Sequence, residues 1–313
     1  MTKKQTFFTI AKIVVAAIVL TLIFYKVGVG NVWDKVRNAS LPPILAGVVL
    51  CWFTIFIAGL RWHRLLRAFE IRIPLFALVC IAQIGQFFIV FLPGPAGDDI
   101  TRMVYISRLS KSRVAEACAS VLLDRCIGLA SILLLAVVCM PRQWHVLSGT
   151  PQTYWPALVV SVAGGVVLIG AALFFLVDGA FMQRLVAKCL GALNASKLRD
   201  ELGIISGRVF SQKRAVAEVM AAAIGTQLLL CLCYYLAGRS VGIGLPVSFW
   251  LGFVPVVLAA NAVPITPAGV GVRESLLVVY LGLVHVPQGT AIATSFIAFG
   301  MMIAIYLLGG IVY

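Results

Sequence analysis

The sequence predicts an all-α, polytopic membrane protein with about seven or eight transmembrane helices and two re-entrant or broken segments in an inverted repeat. Of its 313 residues, 62% are apolar and only 12% are charged, whereas an average soluble domain is roughly 45–50% apolar. A soluble protein of this length needs more charged residues to cover its surface. Soluble, disordered and small disulfide-stabilised classes are therefore excluded, and a single integral membrane domain over residues 1–313 is expected.

The candidate spans are apolar runs long enough to cross a hydrocarbon core, which takes about 20 helical residues. They are Phe7–Val27, Pro43–Leu60, Ala117–Met140, Pro156–Val177, Ala215–Ala237 and Gln288–Val312. The first run is not followed by the small-residue cleavage site of a signal peptide, so we expect it to be retained with its N-terminus in the cytoplasm.

Positive charge is unevenly distributed among the loops. The net charge is +14, which in a soluble protein would suggest nucleic acid, but here the positive-inside rule explains it and no nucleic-acid partner is expected. Segments 61–74, 93–116 and 178–214 carry four, four and seven Lys or Arg residues, whereas 141–155 and 238–246 carry one each. The three positive segments are therefore predicted to be cytoplasmic.

This assignment places both ends of the apolar segment Leu75–Leu92 on the same side of the membrane. A single crossing cannot satisfy that placement, whereas a helix pair that enters and returns can. We therefore predict a re-entrant hairpin here. Its irregular backbone is tolerated only when it is buried in protein or lines a wet cavity.

A second broken apolar region, Pro246–Val286, resembles the first. The Pro-Ala-Gly sequence at positions 95–97 recurs at positions 267–269, slightly over half the chain later, and an arginine and an apolar helix follow each copy. The predicted structural turns are Pro95, Gly97, Pro267, Gly269 and Gly271. Loop charges place the two copies on opposite faces, which predicts inverted halves at about 43–177 and 215–313, joined by the cytoplasmic loop 178–214.

Four charged residues lie within apolar runs, where a charge costs at least about 2.5–3.5 kcal/mol. Asp124 lies about 15 Å along a helix that starts near Val114. Arg125 points about 100° away from it, so each needs its own partner. The Arg273-Glu274 pair is followed by no charged residue, which makes it the strongest single site candidate. An interfacial role for Asp124 and Arg125 stays open.

Polar residues around the first broken segment are further candidates. Asp98 and Asp99 suit a helix N-terminus as caps, or they act as ligands. Arg102 is placed to bind a phosphate or to pair with one of them. Gln83 and Gln86 share a helix face, where interhelical hydrogen bonding and substrate contact are equally expected.

Two other groups of charged residues are given structural roles. Arg61, Arg64 and Arg67, with Trp62, are expected to form an interfacial anchor, although they suit anionic headgroups as well. Arg214 and Glu218 are spaced as a surface ion pair.

Three motifs together resemble the flippase-like family that shares the transmembrane region of lysylphosphatidylglycerol synthases. Residues 97–102 (GDDITR) resemble its Gly-Gly-Asp-x-x-Arg, with Asp98 replacing the second glycine. Residues 120–128 (SVLLDRCIG) resemble Ser-Val-x-x-Asp/Glu-Arg-x-x-Gly, and residues 264–274 (PITPAGVGVRE) resemble Pro-x-x-Pro-x-Gly-x-Gly-Val-Arg-Glu. The motifs occur in family order, and the resemblance covers nearly the whole chain.

The resemblance implies an inner-membrane protein that moves an anionic, aminoacylated or polyprenyl-linked lipid between leaflets, without a cofactor or metal and without enzymatic activity. A membrane lipid is then the substrate, and a separate enzyme that synthesises the lipid is a further partner to consider. The chain ends at Tyr313, so we expect it to resemble the translocation half of the two-domain members and to lack their aminoacyl-transfer domain.

In such a protein, arginines would contact a phosphate and acids would hold the arginines or bind a cationic group. The arginines are Arg102, Arg125 and Arg273, and the acids are Asp99, Asp124 and Glu274. An intramembrane lipid-modifying enzyme, of the phosphatase or glycosyltransferase type, and an ion-coupled solute transporter are the alternatives.

Overall fold

The computed structural model describes residues 29–91, 96–177, 207–262 and 271–313. This part of the chain is helical and contains no β-strand. Its main helices are α1 (Val29–Arg37), α2 (Leu41–Ala68), α3 (Leu75–Phe91), α4 (Ala96–Leu109), α5 (Val114–Cys139), α6 (Pro151–Leu176), α7 (Lys213–Ser240), α8 (Val247–Ala262), α9 (Val272–Gly282) and α10 (Gln288–Val312). Two short helical turns, Met140–Gln143 and Trp144–Leu147, follow α5 directly.

Five helical stretches among the described residues are long and apolar enough to cross a membrane. They are Leu41–Ala68, Val114–Leu147, Pro151–Leu176, Lys213–Ser240 and Gln288–Val312. Each overlaps one of the predicted spans, and the predicted span Phe7–Val27 lies outside the described residues. The prediction of an all-α, polytopic membrane protein is confirmed.

The ends of α2 show why a 28-residue helix forms here. Pro42 and Pro43 occupy its first turn, where proline is tolerated because the first backbone N–H groups have no intrahelical acceptor. At the other end, Arg113 and Arg208 each donate a hydrogen bond of 2.9 Å to the Phe69 carbonyl oxygen. Cations at a helix C-terminus satisfy free carbonyls and complement the helix dipole.

Helices α3 and α4 pack together as a pair. A Cβ atom on Gly97 would lie 2.8 Å from the Phe88 carbonyl oxygen, so the first turn of α4 can approach the end of α3 this closely only with glycine. The start of α4 therefore lies beside the end of α3. The position of the hairpin relative to a membrane stays a prediction.

The helix boundaries repeat along the chain. Helix α2 begins at residue 41 and α7 at residue 213, and both helices have 28 residues. Helix α3 begins at residue 75 and α8 at residue 247. In the second half, α9 and α10 follow α8 in the same order as α4 and α5 follow α3 in the first half. The spacing between the paired starts of α2 and α7, and of α3 and α8, is identical to the spacing between the two Pro-Ala-Gly sequences.

Helix packing repeats with the same correspondence. Helix α3 packs on α10 and α8 packs on α5; α2 packs on α10 and α7 packs on α5. The corresponding helices α2 and α7 pack against each other in opposite directions: Cys51 near the start of α2 contacts Cys233, and Arg64 near its end contacts Glu218. Helix α6 lies outside the repeated unit, although the predicted half 43–177 includes it.

The apolar interior contains two large clusters. One surrounds Trp250, Phe253 and Tyr280 in the second half, and the other surrounds Trp62 and Leu66 in the first half. All five side chains are fully buried, so each half has packed aromatic residues of its own.

The hairpin prediction is testable with single cysteines at exposed loop positions. Arg72→Cys and Lys111→Cys flank α3 and α4, and Ser148→Cys lies between α5 and α6. We expect a membrane-impermeant maleimide to label residues 72 and 111 from the cytoplasmic side and residue 148 from the other side. The unmodified protein supplies the background of the native cysteines. Labelling of residues 72 and 111 from opposite sides would rule out the hairpin.

Candidate functional site

The Asp124 carboxylate binds two arginines from two other helices. Arg61 of α2 donates from Nε to Oδ1 at 2.6 Å and from Nη2 to Oδ2 at 2.9 Å. Arg102 of α4 donates from Nη1 to Oδ2 at 2.9 Å. All three side chains are buried, and charge-assisted bonds of this length are among the strong hydrogen bonds in proteins. The predicted need of Asp124 for a partner inside the protein is confirmed.

The predicted anchoring role of Arg61 and Trp62 is wrong. Both are buried, and the Trp62 indole Nε1 donates to Ser120 Oγ at 3.0 Å while its ring lies 4.6 Å from the Arg102 guanidinium. Arg64 and Arg67 are exposed, as an interfacial role requires. Two observations indicate that Arg61 is buried. It lies about two turns before the end of α2, and the buried Asp124 needs a cationic partner.

Two further ion pairs involve the aspartates of the motif at residues 97–102. Arg102 Nε lies 3.5 Å from Asp98 Oδ1, and Arg125 Nε lies 3.7 Å from Asp99 Oδ2. Asp98 and Asp99 are in the first turn of α4, where a carboxylate also interacts favourably with the helix dipole. Arg125 thus has a different partner from Asp124, as predicted from the angle between adjacent helical residues.

These charged residues line a cavity of about 320 Å³. The wall from the first half carries the charges: Arg61, Asp98, Asp99, Arg102, Asp124 and Arg125. The facing wall, from α7, α8 and α10, is apolar with isolated polar groups: Thr226, Gln227, Leu230, Leu258, Asn261, Ala262 and Tyr306. The cavity has the size of a small-molecule site, but it carries more charged and polar side chains than such sites usually do.

Unsatisfied polar atoms are concentrated at this cavity. Among the described residues, six buried side-chain polar atoms have no hydrogen-bond partner, and four of them belong to residues that line the cavity. They are Gln227 Oε1, Asn261 Oδ1, Asp98 Oδ1 and Arg102 Nε, and the last two face each other at 3.5 Å. Buried polar groups are otherwise almost always paired, so these atoms indicate the place of a polar ligand.

The structure separates the two predicted glutamines. Gln86 lines the cavity. Gln83 instead donates from Nε2 to the Ile305 carbonyl oxygen of α10, which is the interhelical hydrogen bond weighed as the alternative. No pattern in the sequence marks Gln227 or Asn261, because an amide within an apolar run looks the same whether it faces a cavity or a helix.

Arg273 and Glu274 lie apart from this cavity and satisfy each other. Arg273 Nη2 donates to Glu274 Oε1 at 2.6 Å, and Ser295 Oγ donates to the same oxygen at 2.7 Å. The other carboxylate oxygen accepts the Gly271 amide at 2.6 Å. Arg273 and Glu274 are 2% and 0% exposed. The strongest candidate from the sequence therefore joins α9 to α10 and is not among the residues lining the cavity.

The predicted turn residues have different outcomes. Gly271 has a φ of +91° at the start of α9, a conformation that glycine adopts without strain. Gly97 allows the close contact of α4 with Phe88 described above. Pro95, Pro267 and Gly269 lie outside the described residues.

The comparison with known proteins identifies the family. Residues 9–310 match the family described as the lysylphosphatidylglycerol synthase TM region. The chain belongs to this family. The match covers nearly the whole chain and confirms the family predicted from the three motifs. No curated protein matches the chain. As a lysylphosphatidylglycerol synthase TM region, the protein has a membrane- and lipid-related role.

Asp124→Leu is expected to destabilise this lysylphosphatidylglycerol synthase TM region more than Arg61→Leu does. The first change leaves two buried arginines without their main partner, whereas the second leaves Asp124 paired with Arg102. A buried pair broken from one side costs about 3–5 kcal/mol. Thermal unfolding in detergent measures the difference, with exposed Arg64→Leu as the control. Equal midpoints for Asp124→Leu and Arg64→Leu would contradict the role of Asp124.

Glu274→Gln is expected to lower stability without altering the cavity. The change leaves Arg273 buried beside a neutral group, with a cost of about 3–5 kcal/mol. The thermal midpoint in detergent should fall well below that of the wild type, with the exposed Arg64→Leu as the control. A midpoint equal to that of the control would contradict the structural role of this pair.

Proposed function

We propose that the protein is a flippase-like transporter that moves a polar-headgroup lipid across the inner membrane. The anionic, aminoacylated and polyprenyl-linked lipids expected from the sequence are the candidate substrates. One observation carries the proposal: six charged side chains, three arginines and three aspartates, line one cavity between apolar helices. Membership in a lipid-related family supports the same conclusion.

The physical argument is that a lipid headgroup must be kept out of hydrocarbon during its passage. Each charge in the membrane centre costs at least about 2.5–3.5 kcal/mol unless it is paired or solvated. A cavity of about 320 Å³ is large enough for a headgroup, while the acyl chains remain in the surrounding lipid. The paired arginines and aspartates offer the headgroup ionic partners that replace its lost water.

The repeated helices support alternating access through an inverted repeat. Thr54 and Thr226 line the cavity from corresponding positions in α2 and α7, and Gln86 and Leu258 do so from corresponding positions in α3 and α8. The cavity thus lies where the antiparallel helices α2 and α7 cross, between the two halves. In many transporters built from inverted repeats, the substrate site has this position, and one half rocks against the other.

The protein is proposed to transfer no chemical group. Among the described residues that line the cavity there is no histidine, cysteine or serine, and the Thr54 and Thr226 hydroxyls donate to backbone carbonyls. An activated nucleophile needs an adjacent general base. The sequence also contains no phosphate-binding P-loop, so downhill movement or an ion gradient is the proposed driving force. The N-terminus is proposed to be cytoplasmic, with a separate enzyme supplying the lipid.

Arg125→Gln is expected to slow flipping by about tenfold, which corresponds to about 1.4 kcal/mol. Arg125 lines the cavity and is only half-buried, and its ion pair with Asp99 is long, so the fold should tolerate the change. Purified protein is reconstituted into vesicles with acyl-labelled fluorescent lipids of the three candidate classes. A membrane-impermeant reductant then reports the label in each leaflet over time.

Arg214→Gln is the matched control, because Arg214 also pairs with one acid, Glu218, but is exposed and outside the cavity. It should flip lipid at the wild-type rate. Wild-type rates from Arg125→Gln would contradict the site. Chemical conversion of the lipid would favour the enzyme alternative, and counterflow of a water-soluble substrate without lipid flipping would favour the solute transporter.

A further inference from the structure

We propose that the cavity selects a headgroup that combines a protonated amine with a phosphate and has no net charge, as phosphoethanolamine does. This inference rests on the proposed function and replaces its three candidate lipid classes with a zwitterionic headgroup. Three features of the cavity carry it: its charge balance, one long ion pair, and two unpartnered amide oxygens.

The first feature is that the charged wall is already neutral. Three arginines and three aspartates line the cavity, and every one of them has an opposite charge within 3.7 Å. A headgroup with a net negative or positive charge would leave an uncompensated charge in the membrane interior, at a cost of several kcal/mol. A headgroup with one charge of each sign adds no net charge.

The second feature is the ion pair between Asp98 and Arg102. Its Oδ1–Nε distance is 3.5 Å, neither atom makes a hydrogen bond, and both side chains are nine-tenths or more buried. The bond that Arg102 donates to Asp124 at 2.9 Å holds the guanidinium in place. Once this pair separates, a zwitterion can replace both partners, because its phosphate oxygen accepts from Arg102 Nε while its ammonium group donates to Asp98 Oδ1.

The third feature is on the facing wall. Gln227 Oε1 and Asn261 Oδ1 are buried acceptors without a donor, and both residues line the same cavity. An ammonium group has three N–H donors, so it can satisfy more than one unpaired acceptor. A choline headgroup carries the same charges without an N–H donor and would leave both amide oxygens unpaired, which is costly in a buried site.

The test compares three labelled lipids with the same acyl chains in reconstituted vesicles: phosphatidylethanolamine, phosphatidylcholine and phosphatidylglycerol. We expect phosphatidylethanolamine to flip about tenfold faster than the other two, a ratio that two or three hydrogen bonds can supply. A phosphatidylglycerol rate equal to or above that of phosphatidylethanolamine would overturn the charge argument. Equal rates for ethanolamine and choline lipids would overturn the role of the N–H donors.

Gln227→Leu tests the facing wall. The change removes the amide oxygen, so we expect the ratio of the ethanolamine-lipid rate to the choline-lipid rate to fall several-fold. Gln212→Leu, at an exposed position outside the cavity, should keep the preference. An unchanged preference in Gln227→Leu would contradict the proposal. Flipping without headgroup preference would overturn only this inference, whereas flipping of no lipid would overturn the proposed function as well.

Discussion

The Asp124 carboxylate is the interaction on which the first half of the molecule depends. It lies inside an apolar helix, where an isolated charge is costly, and it is stabilised by guanidinium groups from α2 and α4. One buried anion therefore fixes the relative position of three helices. Because Arg102 approaches it from the first half of α4, this helix is held against α2 and α5 with its charged first turns at the cavity. The cavity lies beside this contact, and its shape depends on the ion cluster.

The two halves share a helical arrangement but differ in how they use charge. The position that Arg61 occupies in the first half is occupied by Cys233 in the second, and the position of Arg102 is occupied by Glu274. In the first half, ionic contacts connect separate helices and leave a cavity between them. In the second half, the adjacent residues Arg273 and Glu274 form hydrogen bonds with each other and with Ser295. Among the described residues, all the charged side chains that line the cavity therefore come from the first half.

The helices could be predicted from the sequence because hydropathy over about 20 residues reflects the membrane requirement directly. The partners of Asp124 could not be predicted in the same way, since they come from residues 63 and 22 positions away. Counting loop charges places Arg61 at the interface, because it lies near Arg64 and Arg67 in the sequence. The structure shows that α2 continues to Ala68, so Arg61 lies about two turns before its end and is buried. The sequence likewise does not reveal that Arg273 pairs with its neighbour Glu274. An isolated charge pair in an apolar sequence looks the same whether its charges face a ligand or each other.

Stability alone does not account for the charged wall of the cavity. A buried ion pair is rarely more stable than well-packed apolar residues of the same volume, because desolvation offsets the attraction between the charges. Arg273 and Glu274 have a structural explanation, since Glu274 also accepts the Gly271 amide at the start of α9. The cluster around Asp124 has no such explanation: it includes a long Asp98–Arg102 pair, and two residues with unpartnered amide oxygens line the same cavity. Several polar atoms of residues beside the cavity have no hydrogen-bond partner within the fold. A bound polar ligand would supply the missing partners.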